Sequence, residues 1–312
     1  MSDDDLRELG RGLGFDFATY GVELWDSAAA LAGVSEGYAS RRTERPLRLD
    51  HDRRHTRKWL QLRVSALDRK KVVDDAIDAD FIAAIDCETC PVTLESLTHG
   101  MSRDTDWSID RLNNNGGYAV GNLVVMSRRA NSAKSAKSLI EVVEIAERGE
   151  IVGGLTPAEW LRLASLMVAP CVVNDSRLFV AYADLPLATR IPTLSVRLQH
   201  QQFQRLLLEA ALDFQTYRQV SRQLKARLKS RERWTEVELM IERVKRRLPT
   251  CEYPYDALID EDLQVKRMEF YLHLAPVERT GLKAYLLESL GGEVPTTHLT
   301  SRWALESKGL LA

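Results

Sequence analysis

The sequence predicts a mostly α-helical α+β fold, with one short β-hairpin and the helix that follows it lying between helical N-terminal and C-terminal regions. Apolar residues recur at helical spacing through most of the chain. An alternating stretch, 107–112, and a short apolar one, 123–126, instead flank the loop-forming residues 113–117, as in a hairpin. Glycine and proline divide the remaining sequence into helix-sized segments. The predicted regions are 1–71, 72–150 and 151–312.

The N-terminal region combines an acidic helical segment with a basic one. Residues 3–32 predict one or two short helices interrupted by Gly10, Gly12 and Gly14. Residues 41–71 are rich in Arg and Lys, a composition that suits contact with phosphate and equally suits a solvated helix face. Both interpretations stay open.

The C-terminal region predicts several helices and one irregular segment. Thr156 as an N-cap before Pro157 marks a clear helix start. Residues 172–192 are the least periodic and predict either a short strand pair or an irregular connection. Residues 195–248 carry a long helical apolar stripe and a basic run. Those basic side chains suit a phosphate backbone or pairing with neighbouring glutamates, and both readings stay open.

Composition and charge exclude several classes of protein. A content of 45% hydrophobic and 28% charged residues is that of a globular protein rather than a disordered one. No run approaches the roughly 18 apolar residues of a membrane span, and the acidic start lacks a signal-peptide pattern. We therefore expect a cytoplasmic protein with no membrane partner. Four cysteines are too few for a disulfide scaffold, and the net charge of −2 gives no general attraction for nucleic acid.

The segment that follows a short predicted helix over 72–85 carries the residues that point to chemistry. After the hairpin, a helix is predicted to begin at Ser127 and to run towards Glu147. On this frame Asp110 lies near the end of the first strand, and Asn131 lies in the first turns of the helix packed against it. Carboxylate and amide oxygens suit a hard cation such as Mg²⁺, which keeps several waters and takes few protein ligands. We predict that the two side chains converge on one cation.

The pattern over residues 87–134 resembles the HNH, or ββα-metal, nuclease core. Such nucleases end the first strand with an Asp-His pair, continue with a glycine-containing loop and an Asn on the second strand, and carry an Asn or His ligand on the helix, followed three residues later by Lys. The matching residues of this chain are Asp110-Arg111, Gly116-Gly117, Asn122, Asn131 and Lys134.

This resemblance implies a DNA endonuclease that uses Mg²⁺ or Mn²⁺. Asp110 and Asn131 are implied as the metal ligands, Asn122 as the support of the catalytic residue on the first strand, and Lys134 as a neighbour of phosphate. The residues implied to contact nucleic acid are all basic: Arg111, Arg128, Arg129, Lys134 and Lys137.

One departure from the family pattern concerns the general base. Arg111 occupies the position of the usual catalytic histidine, and a guanidinium remains protonated in proteins, so it cannot activate water. Arg111 can still hold phosphate through paired hydrogen bonds. His99 is the nearest candidate base, with a surface histidine without a role as the alternative.

A second departure concerns structural zinc. Cys87 and Cys90 have the spacing of a zinc knuckle, but Ser127 and Ala130 occupy the positions of the second cysteine pair. Neither of these residues supplies a thiolate, so a four-cysteine zinc site is not expected. We expect Cys87 and Cys90 to be buried packing residues.

Three functions stay open at this stage. The first is a metal-dependent DNA endonuclease with catalytic residues Asp110, Arg111, Asn122, Asn131 and His99. The second is a catalytically degenerate protein of the same fold that binds nucleic acid or serves as a scaffold. The third is an α-rich interaction protein whose C-terminal helices meet a protein partner or a second copy of the chain.

Overall fold

The computed structural model of the chain describes residues 3–41, 53–171, 185–186, 199–289 and 303–311. The chain forms two compact units, which differ from the three predicted regions. The first unit comprises Met1–Cys90, Leu94–Ser132 and Leu299–Ala312, and the second comprises Pro91–Thr93 and Ala133–His298. Within the described ranges helices dominate and the sheet has two strands, so the predicted mostly α-helical α+β class is confirmed.

The first unit begins with helices and continues into the hairpin. Its helices before the hairpin are α1 (Asp3–Thr19), α2 (Asp26–Ala29), α3 (Val34–Arg41), α4 (Arg53–Asp68) and α5 (Ala79–Ile85). The helix predicted over 72–85 is thus confined to α5, whose start is capped by Asp78 accepting a hydrogen bond from the Phe81 amide.

Helix α1 runs unbroken through the three glycines that were predicted to interrupt it. A Cβ atom on Gly10 would lie 1.8 Å from the Ala32 carbonyl oxygen, and one on Gly14 would lie 1.9 Å from that of Val34. The glycines therefore allow the backbones of α1 and the α3 region to approach closely. Tertiary contact outweighs the low intrinsic helix propensity of glycine here.

The hairpin and its helix form where they were predicted. Strand β1 (Trp107–Arg111) pairs antiparallel with β2 (Leu123–Ser127), and Asp110 lies opposite Val124. Helix α6 (Arg128–Lys134) follows directly, and the Ser127 hydroxyl accepts a hydrogen bond from the Ala130 amide at its start. Ser127 therefore acts as the N-cap. We call β1, β2 and α6 with their connecting loop the finger.

The helix after the hairpin ends earlier than predicted. Ser135 has a positive φ of 49°, which ends α6, and a second helix, α7 (Leu139–Glu147), begins after Ser138. Ser138 and Glu141 form a reciprocal capping box, in which each side chain bonds to the backbone of the other residue. The predicted single helix is therefore two helices.

The second unit is built from α7 and the helices that follow it. Their bounds are α8 (Pro157–Cys171), α9 (Gln199–Leu212), α10 (Phe214–Arg227), α11 (Arg231–Arg247), α12 (Glu261–His273) and α13 (Pro276–Ser289). The predicted start of α8 is confirmed, since Thr156 and Glu159 form a capping box there. A continuous apolar core packs α9 to α13 together. The irregular segment 172–192 lies mostly outside the described residues.

The long helical segment predicted over 195–248 is interrupted twice. Asp213 accepts a hydrogen bond from the Thr216 amide and begins α10, and Ser230 accepts one from the Glu232 amide and begins α11. Both are short polar residues that favour N-caps over helix interiors. The described part of this helical pattern therefore folds as three helices packed together.

A C-terminal stretch returns to the first unit and closes over the hairpin loop. The Gly117 amide donates to the Trp303 carbonyl at 2.8 Å, and the fully buried Trp303 ring donates its Nε1–H to the Val120 carbonyl at 2.9 Å. The Val72 amide donates to the Gly309 carbonyl at 2.9 Å. Residues 303–311, which we call the clasp, thus hold the loop from the opposite end of the chain.

None of the helices in the described ranges combines the length and the apolar character needed to cross a membrane.

Candidate active site

Strand β1 presents the candidate metal ligand on the face that also carries Ser108. The five residues of β2 are all buried, whereas Ser108 and Asp110 on β1 are half-buried. Successive side chains of a strand point to opposite faces, so Ser108 and Asp110 share one face. Any group that contacts Ser108 therefore lies on the Asp110 side of the strand.

Asn131 lies on that same side. Its Nδ2 atom on α6 donates a hydrogen bond of 2.6 Å to the Ser108 hydroxyl on β1. With the amide nitrogen held in this way, the side-chain oxygen Oδ1 is the atom directed towards other partners. The strand and the helix thus bring the predicted ligand pair, Asp110 and Asn131, to one face of the finger.

The donor set fits a hard divalent cation. Asp110 contributes carboxylate oxygen and Asn131 contributes amide oxygen, and both are ligand types that Mg²⁺ and Mn²⁺ accept while retaining water. Among the described residues, no three His, Cys, Asp or Glu side chains are grouped as a metal site. A site here would therefore be of the sparse kind, completed by water and substrate.

Arg111 braces the hairpin loop. Its NH1 atom donates to the carbonyl oxygens of Gly116 at 2.8 Å and Asn114 at 3.2 Å. Its guanidinium also lies 5.0 Å from the centre of the buried Tyr118 ring, within the range of a cation–π contact. These contacts give Arg111 a structural task, which the sequence did not predict alongside phosphate binding.

Asn122 is fully buried and fixes the loop that separates the strands. Its Oδ1 accepts from the Asn113 amide at 2.7 Å, while its Nδ2 donates to the carbonyls of Asn113 at 3.0 Å and Gly117 at 2.9 Å. Each amide atom is thus bonded to backbone. The predicted supporting role of Asn122 therefore takes the form of a backbone brace directly after Arg111.

His99 is exposed and packs edge-on against Trp107, with the ring centres 5.0 Å apart. Trp107 lies three residues before Asp110, and a strand rises by about 3.3 Å per residue, so their backbones are about 10 Å apart. This position does not support the hypothesis that His99 serves as the base next to Asp110. Odd spacing along β1 also directs Trp107 and Asp110 to opposite faces.

A buried histidine that the sequence gave no reason to select lies on the same tryptophan. His55 of α4 has its Nε2 atom 2.8 Å from a carboxylate oxygen of Asp86, and its ring centre is 5.8 Å from that of Trp107. The Arg54 guanidinium reaches the same carboxylate at 3.3 Å. Because its ring nitrogen is taken up by this carboxylate in the interior, His55 is best explained as a packing and hydrogen-bonding residue.

The predicted nucleic-acid contacts on and after α6 differ in exposure. Arg128 is exposed and pairs with Asp104 at 3.1 Å, and Arg129 pairs with Glu95 at 2.9 Å. Surface pairs of this kind contribute little free energy, so both guanidinium groups can exchange a carboxylate for a phosphate. Lys137 donates to the Ala133 carbonyl at 2.9 Å and lies 5.9 Å from the Trp160 ring centre.

Lys134 is fully buried in the described structure. Its positive charge lies near Cys171, where it partly offsets the effect of burial, which raises the pKa of that thiol to about 12. A side chain without exposed surface cannot reach phosphate as it stands. The contact of Lys134 with nucleic acid stays a prediction, and the buried position of the side chain gives it no support.

Both cysteines of the pair pack against β2, and Cys90 is buried as expected, whereas Cys87 is only half-buried. The Ser127 amide donates to the Cys90 sulfur at 3.2 Å, and the Cys87 sulfur lies 3.9 Å from the Val125 carbonyl oxygen. Burial, with smaller effects of Cys90 and Asp86, raises the pKa of Cys87 to about 11. Both thiol positions thus contact β2 backbone, and the four cysteines, all within described segments, form no disulfide.

Several basic side chains of the run over 218–247 form ion pairs within the second unit. Arg243 donates to Asp260 at 2.7 Å and to Asp262 at 2.8 Å, and Arg227 pairs with Glu288 at 3.1 Å. The bonds from Arg243 hold the pKa of Asp260 below its usual range against the opposing effect of burial. These contacts favour the reading of the basic run as paired helix surface.

The sequence interpretation identified the basic segment 41–71 but not which of its residues approach β1 and the hairpin loop. Lys58 donates to the Trp107 carbonyl at 3.0 Å, and Arg69, just after α4, donates to the Tyr118 hydroxyl at 3.1 Å. The available signal was their spacing, since Lys58, Gln61 and Ser65 fall on one helix face. Periodicity reveals such a face but not the element that it packs against.

Comparison of the whole chain with protein-family models, with curated proteins and with solved structures finds no match.

Proposed function

We propose that this protein is a divalent-metal-dependent, HNH-like endonuclease that hydrolyses phosphodiester bonds in DNA. The observation that carries the proposal is the bond from Asn131 to Ser108, which orients the amide oxygen of Asn131 on the Asp110 face of β1. A carboxylate and an oriented amide on one strand face are the minimum that a sparse metal site requires.

Each residue of the site then has a defined task. Asp110 and Asn131 hold the cation, and Ser108 fixes the rotamer of Asn131. A divalent cation at these ligands would polarise the phosphate and lower the pKa of a bound water. Asn122 and Arg111 keep the loop after β1 in one conformation through backbone carbonyls. The positive charge of Arg111 also lies beside the end of β1, where it would stabilise an anionic substrate.

A second candidate, a binding protein on a degenerate core, is favoured by one specific observation. Arg111 occupies the position of the general base and donates hydrogen bonds to two loop carbonyls. A protein that only binds nucleic acid needs no general base, and this structural role of Arg111 is enough for it. Such a protein would retain nucleic-acid affinity that weakens with salt, without hydrolysis.

The test is DNA cleavage by the purified full chain. Supercoiled and linear DNA are incubated with Mg²⁺ or Mn²⁺ alongside Asp110→Ala, Asn131→Ala and Arg111→Ala. We expect nicking by the unaltered protein and at least a hundred-fold loss in Asp110→Ala, since a metal ligand is removed. Asp75→Ala serves as the control, because that carboxylate is exposed and lies outside the candidate site.

Two outcomes would overturn the proposal. Cleavage that survives Asp110→Ala excludes the metal site described above. Absence of cleavage with every metal, together with salt-sensitive DNA binding, replaces it with the binding protein.

A further inference from the structure

A polar cavity of about 210 Å³ in the first unit is lined by Asn131, one of the two candidate metal ligands. Its lining includes side chains from α4 and the residue after it, from β1, from the hairpin loop and from α6. Those on which the following steps depend are Lys58, Ser65, Arg69, Ser108, Tyr118 and Asn131. Pockets for drug-sized ligands span about 300–1,000 Å³, so this one suits a smaller group.

The lining side chains are arranged as hydrogen-bond donors. Ser108 accepts from Asn131, and Tyr118 accepts from Arg69, so the hydroxyl hydrogen of each is left for another acceptor. Lys58 carries three N–H donors, one of which is used on the Trp107 carbonyl. A ligand that accepts several hydrogen bonds is therefore required.

The charges that line the cavity have one sign. Lys58 and Arg69 contribute two cations, and none of the described residues lining the cavity is Asp or Glu. Burial lowers the pKa of Lys58, and the attraction of Asp106 opposes that change only in part. An anion in the cavity would stabilise the ammonium group that burial disfavours.

The spacing of α4 explains how one helix supplies this surface. Lys58, Ser65 and Arg69 are separated by seven and four residues, which places them along one face of the helix and its first following residue. The groups that the finger contributes to the cavity are all neutral, and they include Ser108, Tyr118 and Asn131. Both positive charges come from outside the finger.

We propose that this cavity binds one phosphate group of a nucleic-acid strand, with Lys58 and Arg69 as its charged contacts. The proposal rests on the proposed function, because Asn131 and Ser108 belong to both sites and place the bound phosphate next to Asn131. A tetrahedral dianion or diester accepts hydrogen bonds on several oxygens and matches the size, the donors and the charge of the cavity. Helix α4 thereby completes a substrate site that the finger begins.

The experiment measures binding of fluorescein-labelled octathymidine in EDTA, where hydrolysis is absent. We expect Lys58→Met and Arg69→Ala each to weaken binding roughly ten-fold and to reduce the salt slope by about one. Met retains most of the aliphatic length of Lys58, and thermal melting verifies that each variant folds. Arg57→Ala is the matched control, because Arg57 is an exposed cation on the same helix that does not line the cavity.

A neutral variant separates the cavity from general charge. Ser65→Leu fills the cavity without altering any charge, and we expect it to weaken binding as much as Lys58→Met does. Octathymidine with and without a 5′-phosphate distinguishes a site for a terminal phosphate from one for an internal diester, and preference for either supports a phosphate site. Equal binding by Lys58→Met, Arg69→Ala, Ser65→Leu and the unaltered protein would overturn the inference.

The two proposals fail in distinguishable ways. Asp110→Ala should not weaken octathymidine binding in EDTA, since it removes a negative charge and no cation. Cleavage by the unaltered protein combined with unchanged binding by Lys58→Met would retain the nuclease and reject the phosphate cavity. Weakened binding by Lys58→Met without any cleavage would do the reverse.

Discussion

Asn131 on α6 donates its side-chain amide to the hydroxyl of Ser108 on β1 over 2.6 Å. This bond ties the helix to the strand and determines which way the amide oxygen points. A residue that does not itself contact the metal thus orients one of the two ligands proposed to hold it.

Removing the Ser108 hydroxyl should therefore weaken metal binding without touching a ligand. We expect Ser108→Ala to lower the affinity for Mn²⁺ by roughly ten-fold or more, as loss of ligand-orienting partners commonly does. Ser108→Thr retains a hydroxyl and should stay near the original affinity. Calorimetric titration with Mn²⁺ gives both values, and equal affinities in Ser108→Ala and the original chain would show that Asn131 needs no such support.

Replacing Arg111 should lower the free energy of unfolding as well as any DNA cleavage. Arg111→Met removes two hydrogen bonds to loop carbonyls and the contact with Tyr118, and we expect a loss of about 1–3 kcal/mol in the free energy of unfolding. Urea denaturation measures it, with the exposed Arg103→Met as the control. If Arg111→Met unfolds at the same urea concentration as the original chain yet no longer cleaves DNA, Arg111 acts on the substrate instead.

The phosphate cavity should lose affinity as the pH rises. Burial lowers the pKa of Lys58, and of the charges that face it Asp106 raises the pKa while Arg69 shares the cavity. A bound anion favours the ammonium form of Lys58. Octathymidine binding is therefore strongest below the pKa of Lys58 and falls as the pH rises through it, at a pH below the ordinary lysine pKa of about 10.4. Lys58→Arg should remove that fall, because a guanidinium does not titrate in this range. Fluorescence anisotropy across pH decides the point, and an identical fall in both proteins would assign it to another group.

Cys87 should react slowly with alkylating agents. Its pKa of about 11 lies two units above the ordinary value of 9.0, so at pH 8 its thiolate population is about a hundred-fold smaller than in the unfolded chain. The folded state keeps this proton between about pH 9 and 11, so the stability it contributes falls as the pH rises through that interval. Mass spectrometry of iodoacetamide-treated protein measures the labelling, and Cys87→Ser identifies the peptide. Rapid labelling at pH 8 would contradict the burial of this thiol.

The clasp should be sensitive to a single methyl group. Gly309 has a φ of +68°, and a Cβ there would lie 2.4 Å from the carbonyl carbon of Gly116. We expect Gly309→Ala to destabilise the first unit by more than about 2 kcal/mol, since strain and a backbone clash add. Gly100 has the same φ with nothing within 4 Å, so Gly100→Ala isolates the contribution of strain. Thermal melting compares them, and equal losses would show that the contact with Gly116 is dispensable.

Local signals made the hairpin and several helix starts predictable. The strands around 113–117 and the N-cap at Thr156 depend on turn and capping residues adjacent in sequence, and the structure has them in those places. The helix break at Ser135 was not predicted, although the capping box of Ser138 and Glu141 is a sequence signal for a new helix start. Gly10 and Gly14 led to the wrong prediction of a helix break. They contact the α3 region, which is distant in sequence, and local sequence patterns do not reveal such a contact.

The candidate site was predictable only in part, for a related reason. Asp110 and Asn131 stand out through residue type and spacing within the finger. Lys58 and Arg69 lie 40 or more residues earlier, and no periodicity pairs them with β1. The burial of Lys134 and the position of His99 on Trp107 likewise depend on packing, which a motif does not encode.

The clasp also has a consequence for the order of events during synthesis. The loop at Gly117 leaves the ribosome about 190 residues before Gly309 does, a delay of roughly 10–40 s at ordinary elongation rates. Throughout that time the nascent loop lacks the carbonyl of Trp303 and the contact with Gly309. A truncated mRNA that ends before codon 303 therefore yields a chain without the clasp. In that chain the hairpin loop lacks its contacts with residues 303–311, although both strands and α6 are present.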